Sequence, residues 1–168
     1  MGPICTQVTP VDELIANVFT NLPENYQNHR WLCERPILAT KNNVVNVINT
    51  QLLQQIPGNT QCNKSVDSVP DQTQMVNYPP DFLNSFEPPG VSPNYLSVKV
   101  GAHIMVLRNL DPPRLCNGTR LVVKKLMPML LKLQCFLGVA RVKMFHLRIS
   151  MIPTDMPFEF KRLQFPFA

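Results

Sequence analysis

The spacing of apolar positions changes along this chain from helical to alternating, and the change divides it. Val11, Leu14, Ile15, Val18 and Phe19 recur at i, i+3, i+4, i+7 and i+8, which predicts an amphipathic helix with Thr9 as cap and Pro10 in its first turn, ending before Pro23. A polar link, NLPENYQNHRW, follows. Pro36-Ile37-Leu38-Ala39-Thr40 is a short apolar run that reads as a buried strand. KNNVVNVINTQLLQQIPG then offers Asn42 or Asn43 as cap, a stripe through Val44, Val45, Ile48 and Leu52, and a stop at Pro57-Gly58. Strand, polar turn and helix make half of a βαβ unit.

From about Asn59 to Ser97 the chain is polar and interrupted by Pro70, Pro79, Pro80, Pro88, Pro89 and Pro93, which leaves room for one short helix at Asp81 to Phe86. Beyond it the period is two: Val98 and Val100, then Ile104, Val106 and Arg108, then Leu121 and Val123, Leu131 and Leu133, and Val139, Val142 and Met144. Turns at Gly101, Asp111-Pro112-Pro113, Asn117-Gly118 and Leu137-Gly138 separate these runs, so the pattern predicts a small antiparallel barrel or a curled sheet. Residues 158–165 read as one more strand, after which Phe165-Pro166-Phe167-Ala168 is a hydrophobic end with no partner visible in the sequence.

Composition adds that the 168 residues, 45% hydrophobic and 16% charged, are apolar enough to fold and too few for a complete motor enzyme. No apolar run reaches the ~18 residues of a bilayer span, and the first residues lack the pattern of a secretory signal, so no membrane partner is expected. Five cysteines at 5, 33, 62, 116 and 135 have no metal-knuckle spacing, and read as small buried hydrophobes of a reducing compartment. Charge is unevenly placed. Residues 1–95 hold four Lys and Arg against eight Asp and Glu, a net of −4, whereas residues 96–168 hold twelve against three, a net of +9. A basic half of this kind attracts anions and is able to neutralise phosphates.

Candidate chemistry is sparse. Gly58 to Ser65, GNTQCNKS, has the first Gly, the Lys and the Ser of a phosphate-binding P-loop, but Asn63 replaces the second Gly and no apolar strand precedes it. His29, His103 and His146 have no neighbouring nucleophile motif, and carboxylates thin out after Glu87, so no catalytic residue and no metal site is assigned. The string VKVGAHIMVLRNLDPPRLCNGTRLVV, residues 98–123, does stand out. It sets Arg108, Asn109, Arg114, Asn117, Gly118 and Arg120 on a loop between two strands, with Lys124 and Lys125 just beyond. Guanidiniums, short amide donors and a glycine allowing close backbone approach suit phosphate contact. An ordinary hairpin with an Asn-Gly turn and solvated charges accounts for the same residues.

The chain resembles the C-terminal part of the PIF-type (petite integration frequency) DNA helicases, in particular their Helitron-like branch. The resemblance is carried by ERPILATKNNVVNVIN at 34–49, IPG at 56–58, SVDSV and NYPPDFLNSFEPPGVSP within 65–93, LSVKVGAHIMVLRNLD and LCNGTRLVV within 96–123, and IPTDMPFEFKRLQFPFA at 152–168. It implies an α/β plus β fold, in which a partial second RecA-like helicase domain is interrupted by a small Src-homology-three-like β-barrel near the single-stranded DNA path. The implied boundaries are 1–65 for the RecA-like part, 66–150 for the barrel and 151–168 for a return strand. Helicase motif IV falls on the turn at Ala39, Thr40, Lys41 and Asn42, and the DNA-facing positions on Arg108, Asn109, Asn117 and Gly118.

The same resemblance exposes departures. The T-[IV]-N-K-[AS]-Q-G motif, the arginine-finger motif and the first RecA-like domain, with its P-loop and Mg²⁺ carboxylates, have no counterpart among these residues. The segment LMPMLLKLQCFLGVARVKMFHLRI also lacks the Gly-rich turn and Ile-Pro-Arg usual in the family. The expectation is a helicase fragment or degenerate transposon-derived product that holds no cofactor of its own, ATP and Mg²⁺ belonging to the intact family. Its expected partners are single-stranded DNA and the missing N-terminal RecA-like domain, with nuclear residence, mitochondrial residence remaining open. The alternative is a stand-alone nucleic-acid- or protein-binding module without catalysis.

Overall fold

A computed structural model describes residues 10–71, 73, 76–88, 90–127, 130–135, 143–145, 148–153 and 158–168. The chain divides into two compact units, Met1–Gly58 and Asn59–Ala168.

The first unit is helical among its described residues. Helix α1 (Val11–Val18) turns Ile15 inward and carries Asp12 and Glu13 in its first turn, where the helix dipole favours them. Pro10 stands just outside the helix as its N-cap, in extended conformation, and not within the first turn; Thr9 lies outside the described residues. The polar link forms two short helices, α2 (Leu22–Asn25), with Pro23 in its first turn, and α3 (His29–Cys33), where Asn28 Oδ1 accepts the Trp31 N–H at 3.1 Å. Asn21, at φ 55°, makes the bend that lets Pro23 begin a helix where the sequence pattern read only a stop.

Helix α4 (Asn42–Gln55) buries Ile48, with Val44, Val45 and Leu52 half-buried beside it. Its N-cap is Lys41, without a side-chain capping bond, and Asn43 Oδ1 instead accepts its neighbour Val44 N–H at 2.8 Å. The strand expected at 36–40 does not form. No described strand pairs with it and Leu38 is 93% exposed. Apolar composition favours burial, but a strand also needs a neighbouring backbone to satisfy its N–H and C=O groups.

Among the described residues the second unit has three antiparallel sheets. The first pairs β1 (Gln61–Lys64) with β3 (Tyr95–Val98). Another has the order β2-β9-β8, from Val66–Ser68, Lys161–Gln164 and Ile149–Met151. The largest runs β4-β5-β6-β7, from His103–Met105, Arg120–Met127, Leu130–Cys135 and Lys143–Phe145. These sheets do not join into one closed barrel among the described residues. Helix α5 (Pro80–Ser85) matches the short helix expected there. Strands β1 and β2 lie in the proline-rich stretch where no strand was expected, because their inward positions are polar, Asn63 and Asp67, and give no apolar alternation. The expected turn at Leu137-Gly138, with Val139 and Val142, lies outside the described residues.

One core joins the β1-β3 and β4-β5-β6-β7 sheets to the last residues of the chain. Leu96, Val98, Ile104, Val106, Leu121, Val123, Leu131 and Leu133 meet Phe165 and Phe167, both fully buried. The hydrophobic end of the chain thus has its partner. Phe167 bridges Val106, and the backbones of Met105 and Ala168 exchange hydrogen bonds of 2.8 and 3.1 Å. A smaller cluster of Val69, Leu83 and Phe160 is covered by Tyr78 and Phe158, whose rings stack at 4.0 Å. Among the described residues no helix is long and apolar enough to cross a membrane.

Candidate nucleic-acid interface

The loop between β4 and β5 is closed by its own backbone. The Gly118 N–H donates to the Val106 carbonyl at 2.8 Å, Val106 N–H to the Thr119 carbonyl at 2.9 Å, and Leu115 N–H to the Asp111 carbonyl at 2.8 Å. Gly118 holds φ +83°, a conformation that favours glycine, and nothing lies within 4 Å of where a Cβ would stand. That open space on an exposed turn leaves backbone accessible to a ligand.

Of the positions read from the sequence, the loop brings three together. Asn109 Oδ1 accepts the Asn117 N–H at 2.9 Å, and Gly118 follows directly. Both asparagines are exposed. Arg108 turns aside, its Nη2 donating to the Ile152 carbonyl at 3.3 Å. Arg120 is exposed at the start of β5, opposite Met105, and makes no hydrogen bond or ion pair among the described residues. Lys124 and Lys125 lie further along β5, both exposed, where the pairing with β6 shifts register between Val123 and Lys125. Thr40, Lys41 and Asn42 belong to the other unit and are exposed at the start of α4.

Gly58 to Ser65 does not form a phosphate cradle. Its second half is strand β1, Asn63 is buried, and the Lys64 ammonium lies 5.6 Å from the centre of the Tyr95 ring. A P-loop requires a glycine-rich turn opening a helix, so this segment does not fit an ATP triphosphate. Among the described residues no group of three or more His, Cys, Asp or Glu is placed to hold a metal ion.

Two features escaped the reading of the sequence. Lys132, between core residues Leu131 and Leu133, stands directly opposite Lys125, a relation set by register and not by spacing. The other is a buried polar lattice. Arg162 pairs with Asp67 and donates to the carbonyls of Ser92, Leu83 and Phe86. Beside it the Gln164 amide donates to the Asn63 and Asn94 carbonyls at 2.8 and 3.1 Å.

Residues 81–126, from α5 through most of β5, match the family model described as DNA helicase Pif1, 2B domain. No curated protein matches the chain at a significant level. Among solved structures, the Pif1 helicase of Candida albicans is similar at 19% identity and a TM-score of 0.56, over 89% of this chain and 42% of that one. A Pif1 helicase studied for DNA unwinding at forked double-stranded DNA is similar at 21% identity and a TM-score of 0.56, over 96% of this chain and 36% of that one. Unliganded Pif1 from Bacteroides sp. follows at 19% identity and a TM-score of 0.51, over 77% and 38%. The chain therefore spans about two fifths of the length of these helicases. The resemblance to PIF-type helicases read from the sequence is borne out: residues 81–126 match the Pif1 2B domain, and the chain around them has the fold of the corresponding part of those helicases.

Proposed function

We propose that this chain supplies single-stranded DNA contacts within a PIF-type, ATP-dependent DNA helicase. The observation that carries this reading is that the 2B-domain match, residues 81–126, contains the loop and strand bearing Arg108, Asn109, Asn117, Gly118, Arg120, Lys124 and Lys125. In this reading residues 66–150, which hold β2 to β7, serve as the small Src-homology-three-like insertion, and 151–168 is the return strand to the RecA-like domain. The helical unit belongs to a RecA-like domain, with its motif IV turn at Thr40, Lys41 and Asn42. ATP and Mg²⁺ bind elsewhere, on an N-terminal RecA-like domain that is this chain's protein partner. The helicase works in the nucleus, with mitochondria as the second site, in DNA repair and recombination.

Loop and strand divide the labour by chemistry. Arg120, Lys124 and Lys125 neutralise phosphates, while Asn109 fixes the Asn117–Gly118 turn so that a strand is able to approach the backbone closely. A second reading, a stand-alone binding module of transposon origin without catalysis, is favoured by the second unit having its own closed core.

The test is a fluorescence-anisotropy titration of the purified chain with a labelled single-stranded oligonucleotide at two salt concentrations, with an ATP hydrolysis assay on the same sample. Salt-dependent binding without turnover supports the DNA-contacting helicase part. A folded sample that does not bind supports a protein-binding module, and turnover by the chain alone overturns the assignment of the nucleotide to another domain.

A further inference from the structure

Strands β4 to β7 contain no Asp or Glu, yet they carry His103, Arg120, Lys124, Lys125, Lys132 and Lys143. Ile104, Leu121, Val123, Leu131 and Leu133 face the core, so alternation sends Arg120 and Lys132 to the opposite face. Strict alternation after Val123 would aim Lys125 into the core. The register shift between Val123 and Lys125 prevents this, leaving Lys124 and Lys125 both exposed and setting Lys125 in register with Lys132. Like charges placed directly across two strands repel. The side chains of Lys125, Lys132 and Arg120 have no hydrogen bond or ion pair among the described residues.

We propose that Lys125 and Lys132 together form a seat for one backbone phosphate of a nucleic-acid strand, with Arg120 holding a further phosphate about 15 Å away along β5. The inference rests on the DNA-binding function proposed above and adds Lys132 and its pairing to it. A phosphodiester chain fits better than an acidic peptide. At Lys132 strand β6 is paired with β5 on one side and β7 on the other, so its backbone offers no free edge there and recognition falls to side-chain charge. An extended peptide docks most readily by adding its backbone to a free edge, whereas a phosphate needs only the two ammoniums. Lysine, as a point charge, binds phosphate without reading the base, so the site is indifferent to sequence.

The experiment titrates the full chain with labelled oligothymidylate across a salt series, for the wild type, Lys132→Gln and Lys125→Gln, with thermal melting of each and oligoglutamate as a second probe. Each variant is expected to bind about fivefold more weakly at low salt. The slope of log affinity against log salt should fall by about 0.7 for each lysine removed. Melting temperatures should hold or rise, because a like-charge contact has been removed, which a merely structural role would not produce. A wild type that binds while both variants keep its affinity and slope overturns the phosphate seat and leaves the DNA-binding function standing. Weaker binding with a lower melting temperature and an unchanged slope overturns it as well. A wild type that ignores oligothymidylate removes both, and lysine-dependent binding of oligoglutamate alone assigns the face to an acidic protein.

Discussion

Arg162 and Asp67 meet as a bidentate pair in the interior, Nε to Oδ1 at 3.0 Å and Nη2 to Oδ2 at 2.7 Å, with side chains 0% and 1% exposed. The pair joins β9 to β2 across their register, where Asp67 is the partner of Arg162. The rest of the guanidinium is spent on three carbonyls from residues 83–92, so one side chain fastens the end of α5 and the segment after it to the sheet. Ser65 Oγ donates to Asp67 Oδ1 at 2.6 Å, and Asn94 reaches Ser65 Oγ at 2.8 Å, completing the lattice.

Removing one partner of this pair strands the other charge in the core. Asp67→Leu or Arg162→Met alone should lower the stability of the second unit by about 3–5 kcal/mol. Replacing both, as Asp67→Leu with Arg162→Met, should cost less than either single change. Urea denaturation of the four proteins checks this, and additive losses would refute the coupling.

The buried end of the chain makes a strong prediction. Phe167 is fully buried, its ring lies 6.4 Å from that of Phe165, and it bridges Val106. Phe167→Ala should destabilise by about 3–5 kcal/mol through the cavity it leaves. A melting temperature within about 2 °C of wild type would contradict the packing described, because a loss of that size shifts the midpoint by considerably more.

Gly118 tests backbone conformation apart from packing. A Cβ there meets nothing within 4 Å, so any cost of Gly118→Ala comes from φ +83° alone. The expected loss is about 1 kcal/mol, with Gly118→Asn losing less because asparagine tolerates this region better. Denaturant midpoints of the two variants, in that order, check it.

For DNA binding, Arg120 and Arg108 should differ. Arg120→Ala should weaken binding of a single strand by about 1 kcal/mol and lower its salt dependence. Arg108→Ala should lose less, because its guanidinium is already engaged with the Ile152 carbonyl. Equal, full binding by both variants in an anisotropy titration would remove the loop from the interface.

Much of the second unit was legible because its strands obey the period-two rule. Leu121, Val123, Leu131 and Leu133 all face the core as alternation requires. The helices α1 and α4 followed in the same way from Ile15 and Ile48. Strands β1 and β2 were not legible, because what they bury is Asn63 and Asp67, and hydrophobic periodicity is blind to polar groups whose partners lie far along the chain. The run at 36–40 failed in the opposite sense, having strand-like composition without a described strand to pair with. Of the candidate interface, its residue types were readable, and their grouping was not.

What the sequence determined by itself was the alternation that selects each strand's inner face, the helical stripes, the glycine at the Asn117-Gly118 turn and the concentration of positive charge after residue 95. Each of these is local, acting through neighbours a few residues apart. The tertiary structure alone decided that Asp67 meets Arg162, that Phe167 finds Val106, and that a bulge turns Lys125 out to face Lys132. Those relations join residues from 7 to 95 positions apart in the sequence. They depend on strand register and on the pairing of buried polar groups, both of which are settled only when the whole unit closes around its core.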